Sequence, residues 1–402
     1  MPRPRPEGVP VRAAAPRWAV AGAFVATALI AVVQGVRAFR RPHLVETYQA
    51  SQFWVTYEHG FVRRGLPGHV LAALVGGPPT AGQVTAAAFA LMALGVAALL
   101  ALVLVIARSA PRPVRPTVTA LLVCSPFTFA LVLQDIGRYD AVGFAAMAVA
   151  VVGALRWAPG PALLASGLAL LVAAAAEEVL AAFLAPVAAL AAWRLMAAAG
   201  PAARAGAAAA TVLPGVVLAV WGLTANPPTA ALLAMVDEAN AERPDIMRSS
   251  PVNAIASLSQ NLRDALDHLA EMAPHVMPLL NLVFGLCCLS AAALVWRLTG
   301  RREPRLFRSL VAWCVLAAIG LGIAGIDYRR WWALAFVTLV AAVPLLRPGP
   351  RQPVPGPPVG SARPVVVVAV LAVSVAAQVV PVGAAILLDP AAQTHIILTE
   401  RP

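Results

Sequence analysis

Lysine is missing from this chain of 402 residues, so all 30 basic side chains are arginines. Charged residues of both signs make up 12% of the sequence. Soluble domains carry about 25%, so this chain is too poor in charge to cover a water-exposed surface. The net charge of +12 sits in short loops between apolar runs. That placement argues against nucleic acid and favours membrane lipid and phosphate groups as partners.

Two further absences narrow the function. The chain has four cysteines, none with the spacing of a zinc site, and each lies inside an apolar run where a buried free thiol is expected. It has no Walker loop and no glycine-rich nucleotide fingerprint, so no motif supports a cytoplasmic nucleotide site. No internal repeat is evident, which weakens the interpretation of the chain as an inverted-repeat transporter.

Apolar runs of about 20 residues, long enough to cross the hydrocarbon core, recur along the chain. They predict an all-α fold, a polytopic transmembrane helical bundle of about 11 spans. The spans are expected at 18–36, 83–107, 117–133, 141–156, 161–176, 179–195, 206–222, 276–296, 309–326, 331–346 and 364–387.

Two stretches of this pattern are ambiguous. Residues 161–195 hold Glu177 and Glu178 at their middle, which predicts either two short helices that meet there or one interrupted helix. Residues 66–77 are apolar but short, and we expect an interfacial or re-entrant helix.

The arginine distribution predicts the orientation. With the N-terminus in the cytoplasm, 18 of the 30 arginines fall on the cytoplasmic side, as the positive-inside rule requires. The acidic residues are distributed more unequally than the arginines, since 16 of 18 fall at the outer side. This asymmetry suggests that the functional surface is on the extracytoplasmic face. Because the composition is typical of a GC-rich bacterial genome, we expect the protein in the bacterial cytoplasmic (inner) membrane.

The domain organisation follows from the same pattern. We expect residues 1–346 to form the bundle, with outer-face loops at 37–82 and 223–275. Residues 347–364 are expected to form a Pro-rich cytoplasmic linker, and residues 365–402 the last span with a short outer tail. Within the second loop, leucines recur at helical spacing from 258 to 269, which predicts an amphipathic helix at the outer face.

The first candidate site lies between the first two spans. It combines an acid, a histidine and two adjacent arginines with three glycines: Glu58, His59, Arg63, Arg64, Gly60, Gly65 and Gly68. Arginine forks bind phosphate oxygens bidentately, and the glycines allow tight turns or close backbone approach. The alternative is a surface loop whose arginines snorkel to water.

The second candidate site is the short connection after the third span. Asp135 and Asp140 flank Arg138 there, at the outer membrane interface. Two carboxylates so close suit general acid–base work or a divalent cation, Mg²⁺ or Mn²⁺, although no cofactor is required by the pattern. The alternative is a solvated hairpin turn.

Two more connections carry charges beside apolar runs. Glu177 and Glu178 are costly in lipid and must face water, a cation or an arginine. Asp327 precedes Arg329 and Arg330 near two tryptophans, which is typical either of a binding surface or of an interfacial anchor with an internal salt bridge. A polar turn is the alternative for the glutamates.

Together these connections bring carboxylates and arginines to one depth of a helical bundle. We predict that a phosphorylated lipid carrier binds there, with a carboxylate as general base. The predicted catalytic residues are Glu58, Asp135, Asp140 and Glu178. The predicted substrate-binding residues are His59, Arg63, Arg64, Arg138, Glu177, Asp327, Arg329 and Arg330. Asp135 and Asp140 are also the candidate metal ligands.

The layout resembles the multi-spanning lipid-linked glycosyltransferases of the GT-C class. That resemblance implies a polyprenyl-phosphate sugar donor, a glycan acceptor, and an acid of the first outer loop as base or metal ligand, which here would be Glu58 or Glu46. The loop Gly60–Gly68 is also similar to a G-F-V-R-R-G-L-x-G loop of uncharacterised bacterial membrane proteins. Unlike many GT-C members, the loop has no Asp-Glu or Asp-Asp pair, and no large C-terminal periplasmic domain is evident.

The sequence leaves two other functions open. A transporter or lipid flippase would need charges at mid-membrane depth, whereas these charges fall mostly at the outer ends of spans. In a non-catalytic assembly partner, the charged residues would lie at separate places on the surface. Convergence of Glu58, Asp135, Glu178 and Asp327 on one outward-facing cleft would favour the enzyme, and a central water path through the bundle would favour transport.

Overall fold

The computed structural model is all-α, as predicted, and the residues it describes contain fifteen helices and no strand. It describes residues 15–40, 43–58, 60–224, 227–246, 254–259, 276–300, 303–324, 327–346 and 363–379. The helices are α1 (Arg17–Phe39), α2 (Thr47–Ser51), α3 (Gly65–Val75), α4 (Ala81–Ser109), α5 (Arg115–Val123), α6 (Phe129–Gln134), α7 (Asp140–Arg156), α8 (Pro159–Ala176), α9 (Leu180–Leu195), α10 (Pro201–Thr224), α11 (Thr229–Glu242), α12 (Val276–Leu298), α13 (Pro304–Ala324), α14 (Tyr328–Ala342) and α15 (Pro364–Ala377).

Six helices in the described part of the chain are long and apolar enough to cross a membrane, namely α1, α4, α8, α10, α12 and α13. The other predicted spans correspond to shorter helices, so a count of eleven stays a prediction. Glu177 and Glu178 separate two helices, α8 and α9, which agrees with the first of the two alternatives for this stretch. The short apolar segment after the first loop is helix α3.

Helix α14 lies at the centre of the bundle. All of its residues are buried, and it packs against α7, α9, α12 and α13. A helix enclosed by other helices has no lipid-facing stripe, so its length need not match the hydrocarbon thickness. Its first turn carries Arg329 and Arg330, which brings two guanidinium groups inside the protein.

The predicted span 117–133 is interrupted, because α5 ends at Val123 and α6 begins at Phe129. The break frees backbone carbonyls that must find donors where water is scarce. Arg329 donates to the carbonyl of Pro126 from Nε at 3.2 Å and from Nη2 at 3.0 Å. Gln378 donates to the carbonyl of Cys124 at 2.6 Å. Arg329 is thus held by the helix break.

A second apolar core lies beside the bundle core. It is built from apolar residues between Val45 and Trp54, from Val55 and Val62, from the start of α4, from helix α11, and from Ile246, Ile255 and Leu258. We call residues 43–75 and 229–258, where described, the head. Tyr139 and Ala176 belong to the same core, so the connections after α6 and α8 meet the head at one end of the bundle. Glu303 lies at the opposite end, between α12 and α13.

Helix α3 packs on the preceding loop through glycines. A Cβ atom on Gly68 would lie 2.2 Å from the carbonyl oxygen of Val55, and one on Gly65 would lie 2.4 Å from the Tyr57 ring. A side chain at Gly68 would require the backbone to move, and a side chain at Gly65 would require the Tyr57 ring to move. The expected close backbone approach is therefore present at both glycines.

Gly68→Ala is expected to lower the free energy of unfolding by about 1–3 kcal/mol, the usual cost of overpacking. The matched control is Gly77→Ala, because no atom lies within 4 Å of a Cβ atom at Gly77. Thermal unfolding of the detergent-purified proteins measures both. Equal melting temperatures for the two variants would contradict the close packing of α3 on the loop.

Candidate functional site

Charged side chains from four connections converge where the head meets the bundle. They come from the loop before α3, from the turn between α6 and α7, from the turn between α8 and α9, and from the start of α14. We call them the charge network: Arg63, Arg64, Arg138, Arg330, Asp135, Asp140, Glu177, Glu178 and Asp327. The network lies between two apolar cores, which explains the burial of so many charges.

Arg330 forms the deepest part of the network, and its side chain is only 2% exposed. Its Nε donates to both oxygens of Asp140, at 2.9 and 2.7 Å. Its Nη2 donates to Glu177. A guanidinium group can bind two carboxylates in this way because it carries five donors in a fixed plane. These close contacts make Arg330 the electrostatic centre that joins α7, α8 and α14.

Arg138 joins a second set of groups. It contacts Asp135 at 3.1 Å and Asp327 at 2.9 Å, and its guanidinium lies 4.6 Å from the centre of the Tyr48 ring. Gln49 donates to the other oxygen of Asp135. The turn between α6 and α7 is therefore tied both to the head and to the start of α14.

Arg63 and Arg64 come from the loop before α3, and their side chains are 13% and 12% exposed. Arg138 is also 13% exposed, and Asp327 is 20% exposed. Their contacts to Glu178 are longer than those of Arg330, at 3.8 Å for Arg63 and 3.4 Å for Arg64. Arg64 has φ 64°, a left-handed conformation that is rare for a residue other than glycine. Such backbone is held at some cost by its surroundings and occurs often at functional sites.

Ser257 of the head covers these two arginines. Arg63 donates to its carbonyl oxygen, and Arg64 donates to its hydroxyl oxygen at 3.2 Å. The segment is fastened by Ala254, whose backbone N–H donates to the Ser51 hydroxyl at 2.7 Å. Ser257 thus places two oxygen atoms in the donor directions of two neighbouring guanidinium groups.

The electrostatics reflect burial opposed by opposite charges. Burial alone would raise the pKa of Tyr48, but the positive charges of Arg64 and Arg138 outweigh it and lower that pKa below its ordinary value. Burial likewise opposes ionisation of Glu177, but Arg330 and Arg64 lower its pKa to about 2. For Asp327 burial prevails over Arg138 and raises the pKa.

The network is balanced in formal charge. Counting the adjacent Arg329, five guanidinium groups accompany five carboxylates. A cavity of about 10 Å³, lined by Asp135, Arg138 and Asp140 among others, has room for about one water molecule. An additional anion would therefore need to exchange with a carboxylate or with the Ser257 oxygens.

The structure places the predicted site residues in three groups. It brings together the residues of the charge network. Glu58 lies outside the network and is exposed, in the turn after Tyr57. Arg329 donates to the helix break and to Gln134, and the charges of Asp135 and Asp327 also act on it. His59 and the predicted amphipathic helix beyond residue 259 lie outside the described residues.

The predicted metal ligands face arginines. Asp135 contacts Arg138, and Asp140 contacts Arg330. Within the described residues, no group of three His, Cys, Asp or Glu side chains is arranged to hold a metal ion. A divalent cation at Asp135 and Asp140 stays a prediction, and the guanidinium groups would have to give way to it.

Sequence reasoning missed Tyr48, Gln49 and Ser257 as members of this site. Tyr48 and Gln49 had a signal, since they are polar residues just beyond Glu46 in the same connection as Arg63 and Arg64. Ser257 had none, because its place depends on how a long loop returns over the head.

The fold and the network define a polytopic α-helical membrane protein with a buried ionic site at one end of its bundle. The sequence model of a family described as uncharacterised membrane protein Rv1490 matches residues 18–295, well over half of the chain, and the chain belongs to this family. No curated protein and no solved structure matches it significantly. The matched region holds every charged residue of the network except Asp327 and Arg330.

Proposed function

We propose that the protein is a membrane glycosyltransferase that takes a sugar from a polyprenyl-phosphate carrier at the extracytoplasmic face, for synthesis of a cell-envelope glycan. The observation that carries this proposal is the pair Arg63 and Arg64. They are adjacent, partly accessible and positioned next to two glutamates at the end of a lipid-embedded bundle. This is the chemistry that a phosphate on a membrane lipid requires.

The two arginines differ from the deeper Arg330 in how they are held. Arg330 donates to two carboxylates, whereas Arg63 and Arg64 also donate to the neutral Ser257. Arg64 donates in addition to the Tyr48 hydroxyl at 2.9 Å and to Glu178 at 3.4 Å. A phosphate group supplies several oxygens that match these donors and is charged, so its hydrogen bonds would be stronger than those to a neutral serine. Exchange of Ser257 for phosphate would leave the charge network itself intact.

Two carboxylates are suited to act on an acceptor hydroxyl. Glu58 is exposed and lies five residues before Arg63 in the same loop. It corresponds to the outer-loop acid that the GT-C resemblance implies. Glu178 is buried beside both arginines, and its Oε2 has no hydrogen-bond partner among the described residues. Glu58 is the preferred general base because an acceptor glycan must arrive from water.

The lipid tail has a matching surface. On α10, Leu213, Val217 and Val220 are exposed at helical spacing, whereas Gly222 lies on the buried side of the same helix. A Cβ atom on Gly222 would lie 3.7 Å from the Cβ atoms of Arg63 and Glu178. A polyprenyl chain on the exposed face would end near the last turn of α10, and its phosphate would have to pass around the helix end to reach the arginine pair.

One observation favours transport as the second candidate function. The interruption between α5 and α6, with its carbonyls bound by Arg329 and Gln378, is a feature of transporter helices at substrate sites. The two functions differ in an assay with a fluorescent sugar-loaded polyprenyl phosphate in proteoliposomes. Movement of the intact lipid between leaflets supports a flippase, and loss of its sugar to an added acceptor supports the transferase.

The binding step is tested with undecaprenyl phosphate and undecaprenol on the detergent-purified protein. We expect the phosphate to bind more tightly than the alcohol and Arg63→Gln to weaken phosphate binding about tenfold, the effect of one lost charge-assisted hydrogen bond. Arg305→Gln is the matched control, since Arg305 is exposed at the other end of the bundle. Equal binding of phosphate and alcohol by the wild type would refute the proposal.

A further inference from the structure

Three aromatic rings form a stack at the edge of the charge network. Phe61 stacks on Trp221, with ring centres 4.3 Å apart and planes 10° apart. It also stacks on Tyr57, at 5.6 Å and 16°. Trp221 is 57% exposed and lies in the last turn of α10. The stack therefore ends in a large aromatic surface that is open to the surroundings.

The loop before α3 is built to hold this stack. Gly60 has φ 105°, which lets the chain turn so that Tyr57 and Phe61 lie on the same side. The Tyr57 hydroxyl donates to the carbonyl of Ala175 at 3.4 Å, and the Tyr57 ring contacts that of His69. Gly65 provides the space for the Tyr57 ring, because a Cβ atom there would overlap it.

The stack adjoins the groups that the proposed transfer uses. Glu58 lies in the turn between Tyr57 and Phe61 and is exposed. Gly222, next to Trp221, faces Arg63 and Glu178 at ordinary contact distance for a Cβ atom. The residue after Trp221 thus contacts the Cβ atoms of Arg63 and Glu178, and the ring stacked on Trp221 belongs to the loop that carries Glu58 and Arg63.

We propose that Trp221, supported by Phe61 and Tyr57, is the binding platform for a pyranose ring of the sugar substrate. The C–H groups on one face of a pyranose carry partial positive charge and pack on the negative face of an aromatic ring. Polar groups at the rim then bind the hydroxyls. A tryptophan that serves only as a membrane anchor needs no stacked partners, whereas a platform needs a ring held in one orientation. The assignment of the ligand as a sugar rests on the proposed function.

Saturation-transfer NMR on the protein in lipid nanodiscs tests this platform, with methyl α-mannopyranoside, methyl β-glucopyranoside and methyl β-galactopyranoside as probes. We expect at least one probe to receive saturation from the wild type. Trp221→Leu keeps an apolar residue at the membrane surface and should reduce that signal about fivefold, the scale of one aromatic contact. Trp221→Phe should retain most of it.

Trp18→Leu is the matched control, because Trp18 is 71% exposed at the opposite end of the bundle and should not affect the signal. Equal signals from wild type and Trp221→Leu, or no signal with any probe, would overturn the inference and leave Trp221 as an anchor. The probes carry no phosphate. A Trp221-dependent signal together with failed lipid-phosphate binding would keep the platform and refute the transferase.

Discussion

Replacing Arg330 by methionine is expected to destabilise the protein by about 3–5 kcal/mol, the cost of breaking a buried ion pair by removing one partner. The side chain is 2% exposed and binds Asp140 and Glu177 at once. Methionine would fill similar volume but leave the buried Asp140 without its ion-pair partner and Glu177 with only the longer contact to Arg64, at 3.7 Å. Thermal unfolding and the yield of folded protein in detergent should both fall.

The comparison that isolates the charge is the triple variant Arg330→Met, Asp140→Asn, Glu177→Gln. Removing all partners of a buried ion pair is often nearly neutral, whereas removing one partner is costly. We therefore expect the triple variant to melt closer to the wild type than Arg330→Met does. Arg305→Met, at an exposed position, should have no effect. A wild-type melting temperature for Arg330→Met would show that these charges are not buried in the folded protein.

Glu58→Gln is expected to reduce sugar transfer about 10²–10⁴-fold, the contribution of a positioned general base. Glutamine keeps the size of the side chain but cannot accept the proton of an acceptor hydroxyl. Because Glu58 is exposed and belongs to neither apolar core, folding and protein level should not change. The measurement is the glycan composition of the cell envelope in a strain that lacks its own copy, complemented with each variant at matched protein level.

Two further variants test whether a loss of sugar transfer is specific to Glu58. Glu303→Gln changes an exposed acid at the opposite end of the bundle and should complement fully. Glu46→Gln tests the other acid of the first outer loop. Full complementation by Glu58→Gln would remove Glu58 from the mechanism. No envelope change on deletion would count against sugar transfer unless a second enzyme performs the same reaction.

Much of the site was predictable because a charged residue within an apolar segment has a high free-energy cost in lipid. Glu177 and Glu178 interrupt a long apolar run, and the structure ends α8 and begins α9 there. Gly65 and Gly68 were expected to allow close approach, and both lie against atoms that exclude a Cβ. In each case the local sequence contains the physical constraint, so no knowledge of distant residues was needed.

The group with which each charged side chain pairs was not predictable from the local sequence. Arg329 and Arg330 are neighbours in sequence, but one binds the helix break at Pro126 and the other binds Asp140 and Glu177. Successive residues of a helix point about 100° apart, so the packing around α14 decides which environment each meets. Glu58 was grouped with the network by proximity in sequence, whereas the turn at Gly60 leaves it exposed.

The sequence by itself determined that this protein is an all-α membrane protein, because a chain with 12% charge and repeated apolar runs can satisfy its backbone in lipid by forming helices. It also determined that acids and arginines would meet near helix ends, since lipid excludes them elsewhere. Only the tertiary structure decided which charges pair, which arginines donate to Ser257 and which aromatic rings stack. Those contacts join residues far apart in the chain, and their geometry depends on how the head closes over the bundle.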